Sequence, residues 1–314
     1  MNLEEIQALS VSHLISIADL CLEDVQKIYT VAEYLKANRA TAPKGLADKR
    51  LAMMFEKESL RTRVTFDVGM QDLGGSAVYL DYQEVRLGAR ESIKDVSRNM
   101  SRWMHGIVAR TYRHRTVQDL AKHSEIPVVN GLTDYLHPCQ GLTDFFTLTE
   151  VLGSVKGRRF AYVGDGNNTC HSLIHAAALQ GCHISVASPE GYEPNSRVVN
   201  QAMRMAQESG SEIRIMDNPR EAVAGADCVY TDVWASMGQE DETEERAEIF
   251  SPYRVDAALM SKAANEAIFL HCLPAHRGAE VTSEVIDSPY SKVYQNAENR
   301  LHIQKAILYL LMRD

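Results

Sequence analysis

The chain has 314 residues, 45% hydrophobic and 24% charged, with a formal net charge of −9. That length exceeds the usual size of one hydrophobic core and predicts two domains. The acidic balance argues against a nucleic-acid partner, which would need a basic stripe to gain from phosphate contacts. No apolar run approaches the roughly 20 residues of a membrane span. The six cysteines, Cys21, Cys139, Cys170, Cys182, Cys228 and Cys272, form no C-x-x-C pair. Their wide gaps suit neither a disulfide framework nor a zinc site and predict a reducing compartment. The opening MNLEEIQALS has acids where a leader would have bases, so the expectation is an uncleaved cytoplasmic protein.

From about Glu23 to Leu35, apolar residues at Val25, Ile28, Tyr29, Ala32 and Leu35 recur at helical spacing. Arg50 to Phe55 is a short apolar run, read as a buried strand. It breaks at Glu56-Lys57-Glu58-Ser59, and a periodic run follows with Val64 and Val68. The pattern repeats with a strand at Ala77 to Leu80, a helix at Ser92 to Met104 and a strand at Gly106 to Arg110. Past Pro138 a long helix is predicted through Phe145 and Phe146 to Val151, stopping at Gly153. A second series opens with the strand Arg159 to Val163, which enters Gly164-Asp165-Gly166. Its later strands are Ile184 to Ala187, Glu212 to Met216, Cys228 to Thr231 and Ile268 to His271. The acidic run from Glu240 to Glu248 reads as a solvated face.

This alternation predicts an α/β protein of two domains, each a mostly parallel sheet flanked by helices. The expected boundaries are 1–152 for the first domain and 153–296 for the second. A last helix, within 297–314, is expected to pack back on the first domain. Ligands of such sheets bind at the carboxyl ends of the strands. The residues singled out below fall there.

Ser59-Leu60-Arg61-Thr62-Arg63 lies where a strand gives way to a helix. Ser59 is a good N-cap, and the unpaired N–H groups behind it make an anion site. Arg61 adds a planar guanidinium suited to two phosphate oxygens. The same segment also reads as a plain cap whose arginines make surface ion pairs. Arg110 ends a strand, His137-Pro138-Cys139-Gln140 begins a helix, and Arg300 stands near the start of the last one. His137 and Gln140 are one helical turn apart and can face the same point.

Taken together these segments resemble the aspartate/ornithine carbamoyltransferase family over nearly the whole chain. In that family the S-x-R-T-R and H-P-x-Q segments bind carbamoyl phosphate. The resemblance implies that Ser59, Leu60, Arg61 and Thr62 hold the phosphate with Arg110. It implies that Arg110, His137, Gln140 and Thr62 surround the carbamoyl group. Cys272, Leu273 and Arg300 join the carbamoyl phosphate set, and Arg110, His137 and Cys272 are the catalytic residues. Gln83 resembles the residue that reaches into a neighbouring subunit's site, which implies a homotrimer with shared active sites. One departure stands out: members acting on ornithine read S-T-R-T-R, and here Leu60 replaces the first threonine. Its backbone N–H is kept and one hydroxyl is lost. Acetylornithine relatives can carry an apolar residue there.

Two further segments point to the amine acceptor. Asp232-Val233-Trp234-Ala235-Ser236-Met237-Gly238 and His271-Cys272-Leu273-Pro274 each follow a strand, and both are similar to the ornithine-specific branch. The resemblance implies that Asn168, Asp232, Ser236 and Met237 bind L-ornithine. Asp232 and Ser236 would take its ammonium, and Asn168 and the Met237 N–H its carboxylate. The implied reaction is carbamoyl transfer to the ornithine side-chain amine, giving citrulline and phosphate, within arginine metabolism. Acetylornithine and putrescine are the rival acceptors, and an inactive carbamoyltransferase-like binding protein is a more distant reading.

The residues also suggest two other chemistries. Gly164-Asp165-Gly166 after a strand suggests a dinucleotide fold, but Thr169 stands where that fingerprint needs Gly or Ala. His271, Cys272 and His276 invite a metal. Adjacent strand residues point to opposite faces, which would split His271 from Cys272. The expectation is an enzyme with no cofactor and no metal.

Overall fold

In this computed structural model, residues 3–81, 87, 91–235 and 240–313 are described. The chain divides into two compact units, Met1–Leu142 with Asn299–Asp314, and Thr143–Glu298.

In the first unit β1 (Arg50–Phe55) is buried at every residue but its first. An unbroken apolar run of this kind suits a parallel strand covered on both faces. Beside it lie β2 (Ser76–Asp81) and β3 (Gly106–Arg110), and β3 pairs with β4 (Val128–Leu132). All pairings are parallel, in the order β2-β1-β3-β4. The helices α1 (Leu22–Ala37), α2 (Leu60–Asp72), α3 (Ile93–Trp103) and α4 (His114–His123) belong to this unit. Ala52, Met54, Ile107 and Ala109 of the sheet pack with Val117 and Leu120 of α4 in one apolar cluster. The helix α5 (Pro138–Leu152) begins here and continues into the second unit.

The second unit holds five parallel strands, β5 (Arg159–Val163), β6 (His183–Ala187), β7 (Ile213–Met216), β8 (Cys228–Thr231) and β9 (Ile268–Leu270), in the order β7-β6-β5-β8-β9. Its principal helices are α6 (Asn168–Gln180), α7 (Ser196–Ser209), α8 (Pro219–Val223) and α9 (Thr243–Phe250). Val163, Val229 and Phe269 of the sheet share a core with Val255 and Val285. The last helix, α10 (Val293–Met312), enters the first unit at Asn299. There Arg300 Nη2 donates to Thr62 Oγ1 at 2.9 Å and Lys305 Nζ to Asp72 Oδ2 at 3.0 Å.

Each sheet has one place where the strand order reverses, β1/β3 in the first unit and β5/β8 in the second. A crevice opens at such a point, outside the carboxyl ends of the two strands. Register sets Phe55 opposite Arg110 at one and Val163 opposite Thr231 at the other. Ser59 to Thr62, Arg110, Asn168 and Asp232 lie in the segments that leave these ends, while His137 follows β4 and Cys272 follows β9.

Candidate active site

In the first unit α2 begins directly after Ser59, which is extended at φ −156° and accepts the Thr62 N–H on Oγ at 3.3 Å. The first N–H groups of the helix lie at its positive end, as an anion site requires. Leu60 is 76% exposed, so its side chain takes no part in the packing behind that turn. Thr62 is fully buried and its hydroxyl accepts from Arg300. Arg63 is engaged otherwise, its guanidinium 3.8 Å from the Tyr79 ring centroid.

Arg110 closes β3, and its carbonyl accepts the Glu56 N–H at 2.8 Å. The Glu56 carboxylate in turn accepts the Tyr112 N–H at 2.7 Å, so the strand's exit is held from both sides. His137 immediately precedes α5, and its carbonyl accepts the Gln140 and Gly141 N–H groups at 3.1 Å. His137 and Gln140 are both buried. Burial first, and then the Arg300 and Arg110 guanidiniums, hold the His137 pKa well below its ordinary value. The ring is neutral at physiological pH and can donate to an oxygen without adding charge. Two arginines, a neutral imidazole, a threonine hydroxyl and a helix N-terminus thus gather in one unit. That set suits a phosphate ester with a polar carbonyl beside it.

In the second unit Gly164 leaves β5 at φ +137°, a conformation that favours glycine. Asn167 caps α6, its side chain accepting the Thr169 and Cys170 N–H groups at 3.0 Å. The amide of the same side chain donates to Asp232 Oδ2 at 3.0 Å. Asp232 is buried, and its Oδ1 accepts the Val233 N–H at 2.9 Å and the Cys272 thiol at 3.0 Å. Asn168 is buried at the first turn of α6. The structure therefore brings Asp232, Cys272 and the start of α6 together.

Asn167 escaped the sequence reading, although an Asn-Asn pair before an apolar run was a visible capping signal. Arg246 escaped it too, because it lies within the run of acids. It is buried, donates to the Trp234 carbonyl at 2.8 Å, and faces Asp165 at 3.3 Å and Glu242 at 2.8 Å. Burial is the main cause that raises the Asp165 carboxyl to about 6. Gln83, Ser236 and Met237 lie outside the described residues.

His271 and Cys272 are not split between opposite faces of a strand, contrary to expectation. β9 ends at Leu270, so neither residue follows strand alternation. Ligand atoms of Asp232, His271 and Cys272 lie within 4.8 Å of one another. His271 Nδ1 accepts the Leu273 N–H at 2.8 Å, while Nε2 lies 3.3 Å from Glu280 and makes no hydrogen bond among the described residues. The dinucleotide reading loses ground at Gly166. A Cβ there would run into the backbone of Glu193 and Pro194, so this glycine serves close packing of the protein's own chain. Among the described residues no helix is long and apolar enough to cross a membrane.

Comparison with known proteins agrees with this geometry. The family model described as aspartate/ornithine carbamoyltransferase, carbamoyl-P binding domain, matches residues 12–150. The one described as the Asp/Orn binding domain matches residues 156–311. The ornithine carbamoyltransferase of Pyrococcus horikoshii is 50% identical over 300 residues, covering 93% of this chain and 95% of that protein. That of Anoxybacillus flavithermus is 47% identical over 314 residues, covering 99% and 100%. The solved ornithine carbamoyltransferase of Pyrococcus furiosus superposes with a TM-score of 0.93 at 48% identity, covering 96% of each chain. With both family domains matched and relatives this similar from end to end, the chain belongs to the aspartate/ornithine carbamoyltransferase family.

Proposed function

We propose that the protein is an ornithine carbamoyltransferase, moving the carbamoyl group of carbamoyl phosphate to the side-chain amine of L-ornithine to give L-citrulline and phosphate. The observation that carries the choice of acceptor is the Cys272 thiol at 3.0 Å from the buried Asp232 carboxylate. An aspartate acceptor would add a carboxylate beside a carboxylate, a repulsion made worse by burial. An amine or ammonium gains from the same group. The relatives that match from end to end carry the ornithine name.

Ser59, Leu60, Arg61 and Thr62 hold the phosphate with Arg110 and Arg300, the helix N–H groups supplying the rest of the grip. Arg110, the neutral His137 and Thr62 donate to the carbamoyl oxygen, and Gln140 orients the carbamoyl amide. Asp232 and Ser236 take the ornithine α-ammonium, while Asn168 and the Met237 N–H take the carboxylate. Cys272 and Leu273 line the path of the side-chain amine. That amine has an ordinary pKa of about 10.4, so the reacting form is the small neutral fraction. Its lone pair attacks the carbamoyl carbon and the carbonyl electrons move onto oxygen, where the donors stabilise them. The C–O bond to phosphate then breaks, and the departing phosphate carries off the amine's proton. Holding both reactants in line supplies a large part of the rate.

The working unit in this reading is a homotrimer in which Gln83 completes a neighbour's site, supported by the likeness of its segment to the family's. Free thiols at all six cysteines support a cytoplasmic location. The direct test offers the protein carbamoyl phosphate with ornithine, aspartate, acetylornithine or putrescine. Ureido product is expected from ornithine. Preference for another acceptor overturns the assignment, and no product from any of them identifies a binding protein instead.

A further inference from the structure

Lys305, on α10, is a fully buried cation that the transfer chemistry does not use. Its Nζ donates at 3.0 Å to Oδ2 of Asp72, the last residue of α2, the helix that opens with the phosphate turn. The same carboxylate faces Arg39 Nε at 3.5 Å, and the Asp72 carbonyl accepts Lys44 Nζ at 2.8 Å. A charge buried without its partner is costly, so the ammonium and the carboxylate hold each other in place.

The two helices come closest at Gly69. A Cβ there would stand 3.2 Å from Lys305 Cγ and 3.8 Å from Leu301 Cδ1. Leu301 and Lys305 are one turn apart on α10 and so straddle the glycine. On the other side of this crossing Arg300 Nη2 donates to Thr62 Oγ1 at 2.9 Å. Within the first unit, α10 thus meets α2 at Thr62, at Gly69 and at Asp72.

That spacing makes α2 a lever. At about 1.5 Å per residue, Leu60 lies about 13 Å from the crossing and Asp72 about 4.5 Å beyond it. A slip of about 0.3 Å at Asp72 therefore moves the first turn by about 1 Å. Misplacement on that scale matters where backbone N–H groups must point at an anion. The contact at Thr62 cannot be the fixed one, because Arg300 itself belongs to the proposed phosphate grip.

We infer that Lys305 and Asp72 are positioning residues: their buried ion pair fixes the short arm of α2 beyond the Gly69 crossing and so aims its first turn at the phosphate. The inference rests on the carbamoyl phosphate reading above and adds a pair at the opposite end of the helix from the anion.

The test uses variants of the full chain. Lys305→Met combined with Asp72→Asn removes both charges at similar volume, a change that stability often tolerates when a buried pair is replaced together. Because the two charges cancel, the long-range attraction for an anion is nearly unchanged. Gly69→Ala instead puts a methyl group into the crossing while favouring the helix. Carbamoyl phosphate and, separately, inorganic phosphate are titrated well below the Tm of every protein compared. We expect both Kd values to rise about tenfold or more in the double variant, with a Tm within a few degrees of the parent. Gly69→Ala should raise both by about threefold or more. Hydrogen exchange of the peptide that begins at Ser59, measured without ligand, should quicken in the double variant. Parent-level Kd values in a folded double variant overturn the inference whatever its Tm, because the pair would then serve stability alone. If the native chain binds neither probe, the phosphate reading fails and takes this inference with it. If the native chain and the double variant bind both equally well, only this inference falls. Should the double variant not fold, Gly69→Ala decides: weakened binding in a folded protein supports the lever, and parent-level binding overturns it.

Discussion

Asp232 has three donors on its two oxygens, Asn167, Val233 and Cys272, all at 3.0 Å or less. Asparagine would keep its shape and lose the charge that attracts an amine or ammonium. Asp232→Asn should therefore raise the KM for ornithine by about tenfold or more, with little change for carbamoyl phosphate. Initial rates with each substrate varied in turn check this, and equal rises in both constants would argue against the placement. His175 on α6 illustrates the opposite kind of buried residue. It is 1% exposed, and neither ring nitrogen has a hydrogen-bond partner among the described residues. Burial, helped by nearby His171, lowers its pKa from 6.5 to about 4. Between those values the unfolded chain binds the proton and the folded chain does not. Stability from this residue is complete above pH 6.5 and is lost as the pH falls toward 4. His175→Phe should flatten the fall in Tm over that window, measured by thermal melts from neutral pH downward. A slope identical to the parent's would mean the histidine escapes burial when protonated.

In the proposed grip on phosphate, the element that matters most is the first turn of α2. Arg61→Ala should strongly weaken carbamoyl phosphate binding, because a charge-assisted contact is lost from that turn. Leu60→Thr should change the affinity by no more than one hydrogen bond, about 0.5–1.5 kcal/mol, since the exposed leucine leaves the backbone grip intact. A binding titration reads both, and near-normal affinity in Arg61→Ala would remove arginine from the grip. This turn was legible as a helix start because an apolar strand breaks into a capping serine, while its reading as an anion site needed the other segments as well. The apolar runs of β1, β3, β5 and β8 were legible for a similar reason, since strands buried on both faces have no polar alternation to disguise them. β4 was not read. Its Asn130-Gly131 pair has the look of a turn, yet Asn130 donates to the Ile15 carbonyl at 3.0 Å within the fold. At Gly131 a Cβ would come within 3.1 Å of Val108, so the glycine serves close strand packing. Glu280 stayed hidden because it holds a loop curled upon itself, and the reach of Asn167 to Asp232 because it joins segments distant in sequence, which no local periodicity encodes. The end of β9 was misplaced by one residue, and that residue was His271.

For the molecule as a whole, the shared-site reading predicts complementation. An Arg61→Ala chain and a Gln83→Ala chain, dissociated and reassembled together, should form some sites with both residues intact. Activity above the average of the two parents supports a site built from two copies. Activity at that average, with both homo-oligomers folded, would confine Gln83 to its own chain. The distribution of thiols has a practical consequence of another sort. Cys21 is exposed and Cys272 half-buried, while the other four are buried. Burial pushes Cys139 and Cys182 up to about 12 and Cys170 and Cys228 well above the ordinary thiol range. Alkylating reagents attack the thiolate, so the native protein at about pH 8 should take label at Cys21 and then Cys272, leaving the rest unmarked until it unfolds. Peptide mass spectrometry can follow both sites in one sample. With ornithine and phosphate present, labelling of Cys272 should slow while that of Cys21 does not. The unaltered chain would then carry its own occupancy meter, one cysteine timing the reagent and the other counting filled amine sites.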